Sequence, residues 1–380
     1  MKALLAALVL LALLGSIPAA AADPYEINVI LPMTGSAAFI GANESQALAV
    51  YEKLVNRTGG IRGRPIHFKI ADDQGSPQIA LELTNTLLPS HPAVIMGYAV
   101  AAQCRTVLPV VTNGPVIYCF SPSVLPPKGS YVFVSSVTVE AIDSGFMRFA
   151  RDRGYRKIGL IFPTDASGQI SDQTIRDVLS RPEYRDLKIV DLEHFNPTDL
   201  SVAAQVANVK AAAPDIIYTS ATGAAFGNVL RAIHDGGVNV PVVGTAANMS
   251  FEQLAQYSAF LPKELLFNGF LYQQPASARG ASRAKIDEFN AALAAINAHP
   301  SPLHGLAWDP AVLVVSALRK LGPSASAQQL RDYLAALHGE PGISGVYDFR
   351  SGDQHGLSDS AVIVVRWDPA SSDFVAAKSR

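Results

Sequence analysis

Residues 56–77 read NRTGGIRGRPIHFKIADDQGSP, and this stretch decides the fold. It opens on the end of a helical pattern that starts near Asn43 and reaches Asn56. Gly59-Gly60 follows, and glycine accepts the left-handed backbone with which helices commonly end. Residues 67–71 form a short strand-like run. Ser76-Pro77 then supplies a capping hydroxyl and a proline at the first position of another helix. Helix, strand and helix thus succeed one another with almost no spacer.

The same alternation extends outward. Residues 26–31 read as a strand, and 93–96 and 116–119 are short continuous apolar runs. Such runs suit strands buried on both faces, so a parallel sheet covered by helices is expected. A second series opens with a strand at 131–135 and continues with strands at 157–162, 187–192, 216–219 and 240–243. Helices are expected between them at 140–153, 169–179, 201–212 and 224–235. The remainder is mainly helical, at 282–297, 306–321 and 327–337, with closing strands at 346–349 and 361–367. The fold class is α/β with two sheets. Trp308-Asp309, followed by Pro310, reads as a structural helix start.

The first residues form an address. Lys2, an apolar run over 4–14 and Ala20-Ala21-Ala22 before Asp23 have the layout of a secretory signal peptide cut after Ala22. The run is shorter than the ~20 residues a membrane span needs. No Cys follows it, so no lipoprotein signal is present. A periplasmic location is therefore expected. The chain has 380 residues, long enough for two domains. Its formal charge of −2 and charged fraction of 16% do not suit a nucleic-acid binder. Cys104 and Cys119 are the two cysteines. An oxidising compartment permits their pairing, and two buried free thiols are the blander expectation.

Catalytic signatures are missing. Gly35 and Gly41 are not followed by the Lys of a phosphate-binding loop, and no Gly-x-Ser-x-Gly elbow occurs. Ser282 and Lys285 match Ser-x-x-Lys without a downstream Lys-Thr-Gly. The eight histidines form no metal-ligand pair. Asp72-Asp73 reads as a solvated strand end. No enzyme activity, metal or cofactor is expected.

Several segments, taken in order, carry a resemblance: residues 31–35 (LPMTG), 56–65, 72–77 (DDQGSP), Ser121-Pro122, Ala213-Pro214-Asp215 and 241–244 (PVVG). Together the chain resembles the leucine/isoleucine/valine-binding protein family, the type I periplasmic solute receptors of ABC importers. The resemblance implies two α/β lobes joined by three hinge crossings, near 135–136, 271–272 and 344–346. It gives an N-terminal lobe of 23–135 plus 273–344 and a C-terminal lobe of 136–272 plus 345–380. It implies a monomer that closes on a small molecule between its lobes and presents it to membrane permease subunits. A cleft at strand ends also has its own physical reason, since helix N-termini expose N–H groups there.

On this frame the first-lobe wall is assigned Phe39, Tyr98, Val100, Ala101, Ala102, Ser121 and Ser123. The second-lobe wall takes Ser167, Thr222, Gly223, Ala246, Ala247 and Asn248, with Tyr272 at a crossing. Two departures from the family pattern bear on the ligand. Ala101 stands where relatives carry a hydroxyl for the ligand carboxylate, and Thr245 to Asn248 lack the acid that meets an ammonium. The expected ligand is a small, largely apolar carboxylic acid, aromatic or branched. Amino acids and amide- or urea-like solutes are the alternatives, and a sensory receptor or an exported hydrolase are the rival functions.

Overall fold

The computed structural model describes residues 23–35, 37–275 and 278–377. The expected leader and its cut after Ala22 lie outside the described residues. The chain runs β1 (Tyr25–Leu31), α1 (Ala38–Arg57), β2 (Ile66–Asp72), α2 (Pro77–Leu87), β3 (Val94–Gly97), α3 (Ala101–Val107), β4 (Val116–Cys119) and β5 (Val132–Val134). Gly59 and Gly60 take positive φ just past α1. Ser76 Oγ accepts from Ile79 N at the start of α2. Among the described residues these strands form one parallel sheet in the order β2-β1-β3-β4-β5. The expected strand at 131–135 therefore closes the first sheet instead of opening the second. Gly97 ends β3 at φ +112, where an added Cβ would meet Ile30 O at 2.1 Å.

The second series runs α4 (Val139–Asp152), β6 (Lys157–Pro163), α5 (Ala166–Leu179), β7 (Lys188–Phe195), α6 (Ala203–Ala211), β8 (Ile216–Thr219), α7 (Gly223–Asp235), β9 (Val242–Gly244), α8 (Phe251–Gln256) and β10 (Leu265–Phe270). The chain then adds α9 (Gly280–Ala294), α10 (Pro302–Leu321), α11 (Ala327–Ala336), β11 (His338–Pro341), β12 (Val346–Asp348), β13 (Val362–Asp368) and β14 (Asp373–Ala376). The second sheet has the order β14-β13-β10-β9-β8-β6-β7, parallel except for β13 and β14. No described helix is long and apolar enough to cross a membrane.

The last third of the chain serves both sheets. α10 packs beside α1, where Trp308 meets Tyr51 and Phe289 at ring-centre distances of 5.1 and 5.0 Å. Trp308 thus lies inside α10, which starts at Pro302, and not at a helix start. The next residue, Asp309, is fully buried and accepts from Ile343 N, Ser344 N and Tyr347 Oη at 2.9–3.0 Å. Residues after this grip stay with the first sheet. Phe349 packs on Phe133, and Gln354 Nε2 donates to Ser130 O and Val132 O. The expected boundary at 344–345 assigned this stretch to the second lobe, and its contacts move it to the first. The chain reaches the second sheet only at β13.

Candidate functional site

The parallel strands of both sheets deliver their following loops to the ends where cleft residues were expected. Phe39, on the first turn of α1, stands 46% exposed. Thr222, Ser167 and Ala102 are also exposed, while Val100 and Ser123 are half-buried. Other expected contacts turn inward. Tyr98 is fully buried, and its hydroxyl lies 2.7 Å from Thr84 Oγ1 among Ile95, Cys104 and Val107. Tyr272 donates to Pro302 O at 3.2 Å inside the core. Ala101 and Ser121 are buried. Ala246 packs against the cores of both sheets.

Asn248 is a bracket. Its Nδ2 donates to Ala221 O at 2.8 Å and its Oδ1 accepts from Gly223 N at 3.2 Å. It ties the loop after β9 to the loop after β8. Cys104 and Cys119 form a disulfide with Cα atoms 6.2 Å apart, so the expectation of free thiols is corrected. α3 carries one sulfur near its N-terminus and β4 ends on the other, which brings them to the same end of the sheet.

A cavity of about 790 Å³ opens beside these loops. Of the expected residues it gathers Phe39, Gly223 and Ala247. Tyr98, Ala101, Ser121 and Tyr272 are not among its lining. Four helices begin on it. α1 contributes Phe39, α7 contributes Gly223 and Ala224, α8 contributes Phe251 and Glu252, and α10 contributes Pro302 and Leu303. Helix starts leave N–H groups outside the helix's own bonding and direct their dipoles outward, which favours an anion; here caps take part of that set, and among the described residues Glu252 is the one Asp or Glu of the lining. Among the described residues no Lys or Arg lines it. Met249, Phe251 and Leu303 add apolar surface.

The polar lining has defined roles. Ser250 caps α8, accepting from Gln253 N at 3.2 Å and donating to Glu252 Oε2 at 2.9 Å. Ser301 caps α10 with His304 in a reciprocal arrangement. His304 Nδ1 accepts from Ser301 N, so Nε2 carries the proton and donates to Gln46 Oε1 at 2.8 Å. Burial lowers the His304 pKa to about 4, and the ring is neutral near pH 7. Ser301 Oγ donates to Asn43 Oδ1 at 3.1 Å. This Ser–His pair is a helix cap tied to α1.

Sequence reasoning missed Asn43, Glu252, Ser301 and His304. Glu252, in the first turn of α8, puts a carboxylate in the cavity lining four residues past the 245–248 stretch. A Ser-Pro pair with His two positions on was the available signal for the α10 start. Among the described residues no group of three His, Cys, Asp or Glu side chains is placed to hold a metal ion. A second cavity of about 380 Å³ lies between α6 and α7 and contains none of the expected residues.

A family model described as periplasmic binding protein matches residues 24–373. A curated relative, Leu/Ile/Val-binding protein homolog 3 of Brucella melitensis, is 23% identical over 255 residues. That match covers 63% of this chain and 66% of the relative's length. LivJ of Streptococcus pneumoniae, solved in complex with isoleucine, superposes with a TM-score of 0.76 at 20% identity over 93% of this chain and 98% of its own. An extracellular ligand-binding receptor from Rhodopseudomonas palustris HaA2 gives a TM-score of 0.81 at 16% identity over 93% and 99%. At these identities the likeness to solved structures is one of fold.

Proposed function

Since this chain belongs to the periplasmic binding protein family, whose model spans residues 24–373, we propose that it is the extracytoplasmic solute receptor of an ABC importer. The family is one of receptors and not of enzymes. The leader is removed after Ala22, and N-terminal sequencing that finds the exported chain starting at Met1 would reject this. The first lobe comprises residues 23–135 and 273–357, and the second comprises 136–272 and 358–380. Hinge bending at the three crossings closes the lobes on the ligand, and the importer's permease subunits receive the closed form.

The ligand is a small, largely apolar carboxylic acid with a branched or aromatic body. One observation carries this reading. Four helices begin along one cavity, so the backbone N–H groups that their caps leave free are at hand for a carboxylate, on the side away from Glu252. Such a site attracts an anion through backbone N–H groups. Phe39, Met249, Phe251 and Leu303 offer the apolar side. Among the expected residues, Gly223 and Ala247 are the second-lobe contacts best placed to take part.

A second reading, an amino acid with the same apolar body, is favoured by Glu252. Its carboxylate at the cavity wall offers an ammonium the partner that Thr245 to Asn248 lack. Calorimetry with 4-methylpentanoate and leucine separates the two. The plain acid is expected to bind more tightly, and Glu252→Gln is expected to leave it unaffected. Tight binding of leucine alone, abolished in Glu252→Gln, would replace the first reading with the second. A ligand present at 100 times its dissociation constant adds ~2.7 kcal/mol to stability, which a melting screen detects.

A further inference from the structure

Each side of the cavity is braced within itself. On the first-sheet side Asp73 is buried, which corrects the expectation of a solvated strand end. Its Oδ1 accepts from Gly75 N at 2.9 Å and from Gln103 Nε2 at 2.8 Å, and Gln103 Oε1 accepts from Val100 N at 2.9 Å. Asp72 alone keeps the expected place, accepting from Met33 N, Thr34 N and the Thr34 hydroxyl. On the second-sheet side Asn248 ties the loops after β8 and β9. Neither set of bonds reaches across the cavity.

A ring pair does reach across. Phe251, in the first turn of α8, and His299, between α9 and α10, both line the cavity, and their ring centres lie 5.1 Å apart. The two rings belong to different cores. Phe251 packs into the second-sheet core through Trp367 of β13 and Phe374 of β14, at 6.1 and 5.3 Å. Phe374 in turn meets Phe267 of β10 at 5.7 Å. His299 follows α9, whose Ile286, Phe289 and Leu293 are buried in the first-sheet core. Rings at such separations attract each other beyond the apolar area they bury.

The first-sheet side presents His299 stiffly. Asn297 takes φ +57 just past α9, and Ala298 N donates to Leu293 O at 3.1 Å. Ile296 and Ala298 pack against the first-sheet core. Pro300 follows His299 directly, and the residue before a proline is kept from helical backbone. Ser301, next again, is tied to Asn43 of α1 as the cap of α10. Further contacts between the two sides sit beside the second crossing. There Gln273 Nε2 meets Met249 Sδ at 3.0 Å, and Gln274 Nε2 donates to Phe374 O at 3.3 Å. The ring pair stands beyond α9 from that crossing, on the cavity wall.

We propose that His299 is a positioning residue of the receptor: its ring, seated on Phe251, bridges the two lobes and biases them toward the arrangement that walls the cavity from both sides. The proposal rests on the reading of the chain as a hinge-bending receptor. A ligand moves such an equilibrium only by its differential affinity, and the fraction already closed sets the apparent dissociation constant. A bridge made by the protein itself supplies part of the closure in advance. It also holds the Phe251 ring at the wall where the apolar body of a ligand would lie.

Spin labels on Ala291→Cys in α9 and Ala204→Cys in α6, both exposed positions, read the lobe separation by pulsed dipolar spectroscopy on the purified disulfide-bonded chain without ligand. His299→Ala is expected to lower the ratio of short to long separations about fivefold, and Phe251→Leu to do the same. The double variant is expected to fall no further than either single one, because both changes remove the same contact. His299→Phe is expected to restore the wild-type distribution. Phe251 also belongs to the aromatic cluster, so His299→Ala and its rescue by His299→Phe carry the test should Phe251→Leu fold poorly. A distribution that His299→Ala leaves unchanged would overturn the proposal, as would additive losses in the double variant. If saturating leucine or 4-methylpentanoate still shortens the separation in that case, the bridge is lost and the receptor reading stands. Failure of both compounds to bind strikes the ligand reading alone, because the separations are read without ligand.

Discussion

Asp309 and Glu44 are both carboxylates with full burial, on the neighbouring helices α10 and α1, and they meet opposite surroundings. Asp309 receives three donors and fastens residues 343–347 to the middle of a helix. Glu44 receives none. Burial raises the pKa of both, but at Asp309 the backbone N–H groups of Ile343 and Ser344 and the Tyr347 hydroxyl pull it back. Equal burial thus yields a clamp in one place and an unpaired carboxyl in the other. What decides is the supply of donors.

The largest expected break in this comparison is at the clamp. Asp309→Ala strands two backbone N–H groups and a tyrosine hydroxyl, and should cost about 3–5 kcal/mol in urea unfolding. Asp309→Asn keeps one acceptor and should cost less. The opposite sign is expected at Glu44. Glu44→Met removes an unpaired carboxyl from a dry site and should gain about 1–2 kcal/mol near pH 8. A loss of similar size in both variants would mean that Glu44 is a second clamp.

The smallest effect is a tilt with pH. Stability from Asp73 is lost as pH rises from 3.8 to about 6. His304, whose pKa is lowered from 6.5 to about 4, acts the other way and loses stability as pH falls through that range. The two oppose each other, while Glu44 and Asp143, also raised by burial, tilt the wild-type melting curve upward toward acid between about pH 4 and pH 6. Relative to wild type, His304→Gln should steepen that tilt and Asp73→Asn should lessen it, each by about 3 °C. Parallel curves for all three proteins would remove the pH argument from both sites.

Much of the fold was legible because its signals are local. Val94–Gly97 and Val116–Cys119 are buried on both faces, so each reads as a continuous apolar run. Ser76-Pro77 announces α2 through a contact three residues away. β10 was not read as a strand, since Asn268 and Gly269 interrupt an otherwise apolar run. The third crossing was misplaced for a different reason. Tyr347, Phe349 and Gln354 look like the approach to a strand, and only contacts such as Gln354 with Val132, 222 positions away in sequence, assign them to the first sheet. The cavity was half legible. Phe39, Gly223 and Ala247 follow from strand-end loops, whereas Ser301 and His304 come from a helix start that belongs to neither series of strands.

The Cys104–Cys119 bond ties the making of the protein to its surroundings. α3 is short, and in a cytosol poised by glutathione its two sulfurs remain apart, leaving packing alone to fix it against β4. The oxidised and reduced preparations are therefore two different reagents at the backbone that follows β3. Crossing into an oxidising space becomes the last step in building that wall, and a ligand screen run only on protein from a reducing cytosol would sample the unfinished one.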